Sequence, residues 1–244
     1  MERDMSDNPL LGERFSDDSH AGTGRMTIKG TINRLAMLLA MTVITAAWTW
    51  QRFTVDPSEA MLWAIGGALT GTVMVFALMF KRELAPYLAP AYALAEGLFI
   101  GAISARYDAQ FGGIVFQAVM LTFGIMFAML GAYSTGLIRA TPMLVKTVVM
   151  ATLGIAVFYI IAMVMMLFGA EPPLIYNSGP IGIAFSLIVI GIAAFNLIID
   201  FDTIENGANM GMPKYMEWYG AFAMLVTLVW LYVEALRLIS KLRD

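Results

Sequence analysis

Seven stretches of the chain run for about 20 residues with little or no charge, the length a helix needs to cross a hydrocarbon layer of about 30 Å. They cover residues 33–50, 62–80, 87–105, 114–133, 147–168, 181–202 and 218–241. Short polar or Pro/Gly-containing links such as "KRELAP" and "GAEPPLIYNSGP" separate them, and none is long enough for a second folded unit. Residues 1–30, "MERDMSDNPLLGERFSDDSHAGTGRMTIKG", are polar and rich in Gly, Ser and Asp, without the apolar core of a signal peptide, and read as a disordered tail. The expected fold class is an all-α integral membrane protein, a seven-transmembrane-helix bundle over residues 31–244.

Composition narrows the chemistry. Of the 244 residues 59% are hydrophobic and 14% charged, and the mean hydropathy is +0.75, outside the range of soluble domains. The absence of cysteine removes disulfides, thiolate metal sites and cysteine nucleophiles. His20 is the single histidine and lies in the tail, so a Ser/His pair or a two-histidine zinc site within the spans is also excluded. No basic run points to nucleic acid, and no pattern calls for a cofactor. Lys and Arg are denser on the side of the tail, which predicts a cytoplasmic N-terminus. The bias fades at the C-terminus, where Arg237, Lys241 and Arg243 sit, so the last segment is expected either to cross or to re-enter. Gly67-x-x-x-Gly71 and Gly97-x-x-x-Gly101 are read as close helix packing.

Ionisable groups inside spans carry the functional signal, since an unpaired charge at bilayer depth costs at least about 2.5 kcal/mol. Glu96 lies nine residues beyond Tyr87, and Glu234 twelve beyond Phe222. At 1.5 Å per residue these are depths of about 14 and about 18 Å. Arg237, three residues after Glu234, is its partner on the same face or a side chain reaching the interface. A span carrying both is too polar to face lipid, so the last helix is expected at the centre of the bundle. Asn196 and Asp200, four apart, share a helix face, whereas Asp202 is turned by about 200° from Asp200. Only one of the two aspartates can face the interior with Asn196; the other, with Glu205, marks where the helix enters water. Acids sharing a proton titrate as a coupled pair, and carboxylate oxygens suit Ca2+.

The motifs "IIDFDTI" and "LYVEALRLI", with "FKRELAP" and "EGLFIGAIS" earlier in the chain, resemble corresponding parts of the Bax inhibitor motif family of seven-span membrane proteins, in its bacterial type. The resemblance implies a pair of acids, one in each of the last two spans, that share a proton and gate a Ca2+ leak. On this chain the first matches Asp200, with Asp202 as the competing register, and the second matches Glu234, where the family has Asp. The same two residues would be transient Ca2+ ligands; from their own positions in the spans, and not from the resemblance, Glu96, Asn196, Asp202 and Arg237 are expected to line the cavity or ion pathway. The leading expectation is a pH-sensitive Ca2+ leak of a bacterial inner membrane, with Ca2+, protons and the bilayer as partners. The alternative is a non-conducting regulator or scaffold with a membrane-protein partner. An enzyme is not expected: an intramembrane aspartyl protease has its acids in a Gly-x-Gly-Asp context that neither acid here shows.

Overall fold

The structure, a computed structural model, describes residues 24–169 and 178–244. Most of the expected tail, and the "AEPPLIYN" part of the fifth link, lie outside the described residues. Among the described residues seven helices have the length and apolarity to cross a membrane. They are α1 (Ile28–Val55), α2 (Pro57–Phe80), α3 (Ala85–Gln110), α4 (Ile114–Ser134), α5 (Pro142–Leu167), α6 (Pro180–Asn209) and α7 (Met216–Arg243). A short 3-10 turn, Arg82–Leu84, precedes α3.

Three of the helices start at a side chain that satisfies free backbone N–H groups. The Thr27 hydroxyl accepts from Gly30 N and starts α1, the Asp56 carboxylate accepts from Ser58 N and Glu59 N at α2, and Thr141 caps α5 ahead of Pro142. The hydrogen bonds from Ser58 and Glu59 hold the exposed Asp56 carboxyl below the usual carboxylate range. Thr27 accounts for α1 beginning five residues before the apolar run does. Residues 24–27 are thus part of the folded unit: Arg25 bridges Pro213, and Met26 N donates to Met212 O at 2.7 Å.

α7 is the axis of the bundle. It packs against α1, α3, α4 and α6, and most of its length is buried, with Leu225, Leu231, Ala235 and Leu236 fully inaccessible. At 28 residues it is about 42 Å long, enough to cross the bilayer completely. α5 is the opposite case. It packs mainly on α6 and shows Met150, Leu153, Val157 and Ile161 to the outside, as a lipid-facing helix does.

The glycine pairs set the α1–α3–α2 layer. A Cβ at Gly101 would run into the backbone of Ala46 on α1, and one at Gly67 into the Ala95 carbonyl of α3. Gly101→Ala should therefore force α1 and α3 apart and cost about 1–3 kcal/mol. Gly124→Ala, whose Cβ would meet nothing within 4 Å, should stay within about 0.5 kcal/mol of the parent. Thermal unfolding in detergent distinguishes them, and equal melting points would refute the close approach.

Candidate functional site

Three polar groups of α7, Thr227, Glu234 and Lys241, stand seven residues apart and so form one stripe along the helix. The antiparallel α6 supplies their counterparts. Thr227 Oγ1 donates to Asp200 Oδ2 at 2.7 Å, and Lys241 Nζ donates to Ser186 Oγ and the Gly182 carbonyl, each at 3.0 Å. Fourteen residues separate Thr227 from Lys241, and fourteen separate Asp200 from Ser186, so the two helices stay in register along this seam. Midway, Glu234 comes level with Ala193, which is fully buried. From this level the Glu234 carboxylate reaches α5. It accepts from Tyr159 Oη at 2.8 Å and pairs with Arg237 at 3.1 Å, and the guanidinium lies over the Tyr159 ring. Arg237 is therefore the partner of Glu234, and Glu234 is 1% exposed.

Asp200 and Glu234 occupy two stations on this stripe rather than one hydrogen-bonded pair. Seven residues of α7 separate Thr227 from Glu234, about 10 Å along the axis. Among the described residues the ion pairs are Arg34–Glu217 and Arg237–Glu234, and neither includes Asp200. The Thr227 hydroxyl is the donor that holds its carboxyl.

Asn196 does not accompany Asp200 toward α7. Its amide donates to Thr152 Oγ1 on α5 at 2.8 Å and to the Ile192 carbonyl, so the two residues, though four apart, serve opposite neighbours of α6. Asp202 turns to α4. Tyr133 Oη lies 3.4 Å from Asp202 Oδ1 and donates to Glu205, while Asn206 donates to Asp202 Oδ2 at 2.8 Å. These two acids line a cavity of about 780 Å³ between α1, α4, α6 and α7. A second cavity of about 310 Å³, at the opposite end of the bundle, is lined by Arg106, Tyr107, Arg237 and Lys241. Glu96 lines neither. It faces the Tyr92 side chain, and its carboxyl lies beside Gly71 of α2, so the structure keeps it apart from Glu234.

Two buried charges stand outside the expected set. Lys241, counted in the sequence as a terminal charge, is 6% exposed and tied to α6. Glu217, in the sequence part of a polar link, is 1% exposed at the start of α7, where it accepts from Thr27 N at 2.9 Å and Thr27 Oγ1 at 2.8 Å and pairs with Arg34. Gly30 makes this approach feasible, since a Cβ there would collide with the Glu217 carboxylate. The seven-residue spacing of Thr227, Glu234 and Lys241 was a readable signal; nothing local pointed to the Glu217 pairing. Among the described residues no group of three His, Cys, Asp or Glu side chains is placed to hold a resident metal ion.

The pattern of the family described as Bax inhibitor 1 like matches residues 8–244, nearly the entire chain. The chain belongs to that family. No curated protein matches it. Within this Bax inhibitor 1 like protein the acid-bearing end of α6 meets α7 through the Asp200–Thr227 hydrogen bond, and the acid of α7 lies one station farther along that helix.

Proposed function

We propose that this Bax inhibitor 1 like protein is a pH-sensitive Ca2+ or cation leak whose controlling groups are Asp200 and Glu234. The observation that carries the reading is Asp200: a carboxyl inside a span, held by one hydroxyl and in neither ion pair of the described residues. At bilayer depth such a group takes up a proton or a cation, because leaving it charged and alone costs about 2.5–3.5 kcal/mol. That exchange is the chemistry of a proton-gated cation path. Glu234 lies one station farther along the same stripe, where release of Arg237 would free a second carboxylate. We place it in a bacterial inner membrane, and the density of Lys and Arg supports a cytoplasmic N-terminus there.

A specific observation favours the second reading, a non-conducting regulator. Glu234 is already neutralised by Arg237 and held by Tyr159, so the second carboxylate is closed to an ion in this arrangement. Ca2+ entry into proteoliposomes over a pH series separates the two. A leak gives flux above protein-free vesicles that climbs as the pH rises and the acids lose their protons. Flux indistinguishable from empty vesicles at every pH would leave the regulator.

A further inference from the structure

The cavity bearing Asp202 and Glu205 is a lateral groove. α1 and α4 are its walls and Phe201, Ile204 and Met224 its floor. Its wall residues Ile32, Phe127 and Leu130 are 57%, 62% and 41% exposed and lie on two helices of membrane-crossing length, so the groove opens sideways along the apolar flank of the bundle. Its volume, about 780 Å³, falls within the range of about 300–1,000 Å³ typical of ligand sites.

Charge is confined to one end, and both signs are present. Tyr133 holds the Asp202 and Glu205 carboxylates side by side, and neither belongs to an ion pair of the described residues. Arg139 and Thr141, from the α4–α5 link, line the same cavity, and Arg139 is likewise in neither ion pair. An anionic lipid would meet the two carboxylates, and a purely cationic amphiphile the guanidinium. A head that carries a phosphate next to a primary amine matches both: the phosphate to Arg139 and Thr141, the ammonium to Asp202 and Glu205. A quaternary ammonium has no N–H to donate to them. We infer that the α1–α4 groove binds one phospholipid with a phosphate and primary-amine headgroup, its acyl chain lying along Ile32, Phe127 and Leu130.

The test reads lipid rather than flux and so is independent of conduction. With a photoreactive benzophenone residue in place of Leu130 in the full-length protein, irradiation of native membranes should yield an adduct with the mass of a phospholipid. Adducts only with residues 1–23, with a second copy of the chain or with another protein would overturn the assignment. In parallel, the protein is reconstituted in vesicles of equal parts phosphatidylethanolamine, phosphatidylcholine and phosphatidylglycerol, repurified, and its retained lipid measured. Enrichment of phosphatidylethanolamine is expected; bulk proportions or enrichment of either other lipid would refute the headgroup. Arg139→Gln, at an exposed position, should lower the retained amine lipid about tenfold, the loss of one charge-assisted hydrogen bond. Asp202→Asn with Glu205→Gln should abolish the preference for the primary amine over phosphatidylcholine. If that double variant fails to fold, Arg139→Gln decides alone, and unchanged retention in it refutes the site.

Discussion

Replacing Asp200 by Asn is expected to flatten the pH dependence of Ca2+ flux and leave a low, constant leak. Asn keeps the shape and an oxygen that accepts from Thr227 Oγ1, so the α6–α7 seam should persist. What it loses is the group that exchanges a proton for a cation. The sign follows from that exchange: a carboxylate attracts Ca2+ only when deprotonated, so flux through the parent rises with pH and falls as the acid is protonated. Losing an interaction with a charged group, about 1.5–3 kcal/mol, corresponds to roughly a 10- to 100-fold drop in cation occupancy at the high-pH end. Asp202→Asn serves as the companion, because Asp202 faces Tyr133 and the groove rather than α7. An unaltered profile in the Asp200 variant with a flattened one in the Asp202 variant would move the gate to the groove. Two unaltered profiles would remove both acids from it.

The largest stability effect is expected at Arg34. Its guanidinium pairs with buried Glu217, donates to the Gly30 carbonyl at 3.0 Å and lies over the Trp218 ring. Arg34→Ala leaves a buried carboxylate with only the two Thr27 donors, and breaking a buried pair costs about 3–5 kcal/mol. The side chain of Arg34 is 20% exposed, which places the loss near the lower bound, about 3 kcal/mol. Removing both charges, as in Arg34→Met with Glu217→Met, should recover part of it, and a double-mutant cycle on melting in detergent measures the coupling. A single-variant loss under about 1 kcal/mol would show the pair to be screened like an exposed one.

The spans and the central place of α7 were legible because charge is sparse in this chain and a polar apolar-length segment has nowhere else to go. Helix ends were not, because they depend on caps and not on hydropathy. α1 is extended backward by Thr27, and α6 runs through "TIENGAN" past Asp202 to Asn209, where Asn206 reaches back to Asp202. The acids were found individually and Arg237 was placed beside Glu234, yet the neighbours of Asp200 and Glu96 were misjudged. Helical spacing says that Asn196 and Asp200 share a face; it does not say that α5 and α7 flank that face on either side. Glu217 escaped notice for a related reason. A window of hydropathy assigns it to a link, and its partner Arg34 is in the first helix, so only tertiary packing reveals the pair.

The centrality of α7 also bears on how the protein is made. Of the seven helices, the one that most of the others pack against is the last to be synthesised, as are the link residues 212–214 that hold Met26 and Gly24 at the start of the described chain. Until α7 enters, Asp200 and Ser186 lack the hydrogen-bond partners it brings and Arg34 lacks the carboxylate that neutralises it, and α1, α3, α4 and α6 surround an unfilled groove. A chain released before residue 216 would therefore present polar surface to lipid and be a ready substrate for membrane proteases, so quality control can distinguish finished from unfinished copies by this one helix.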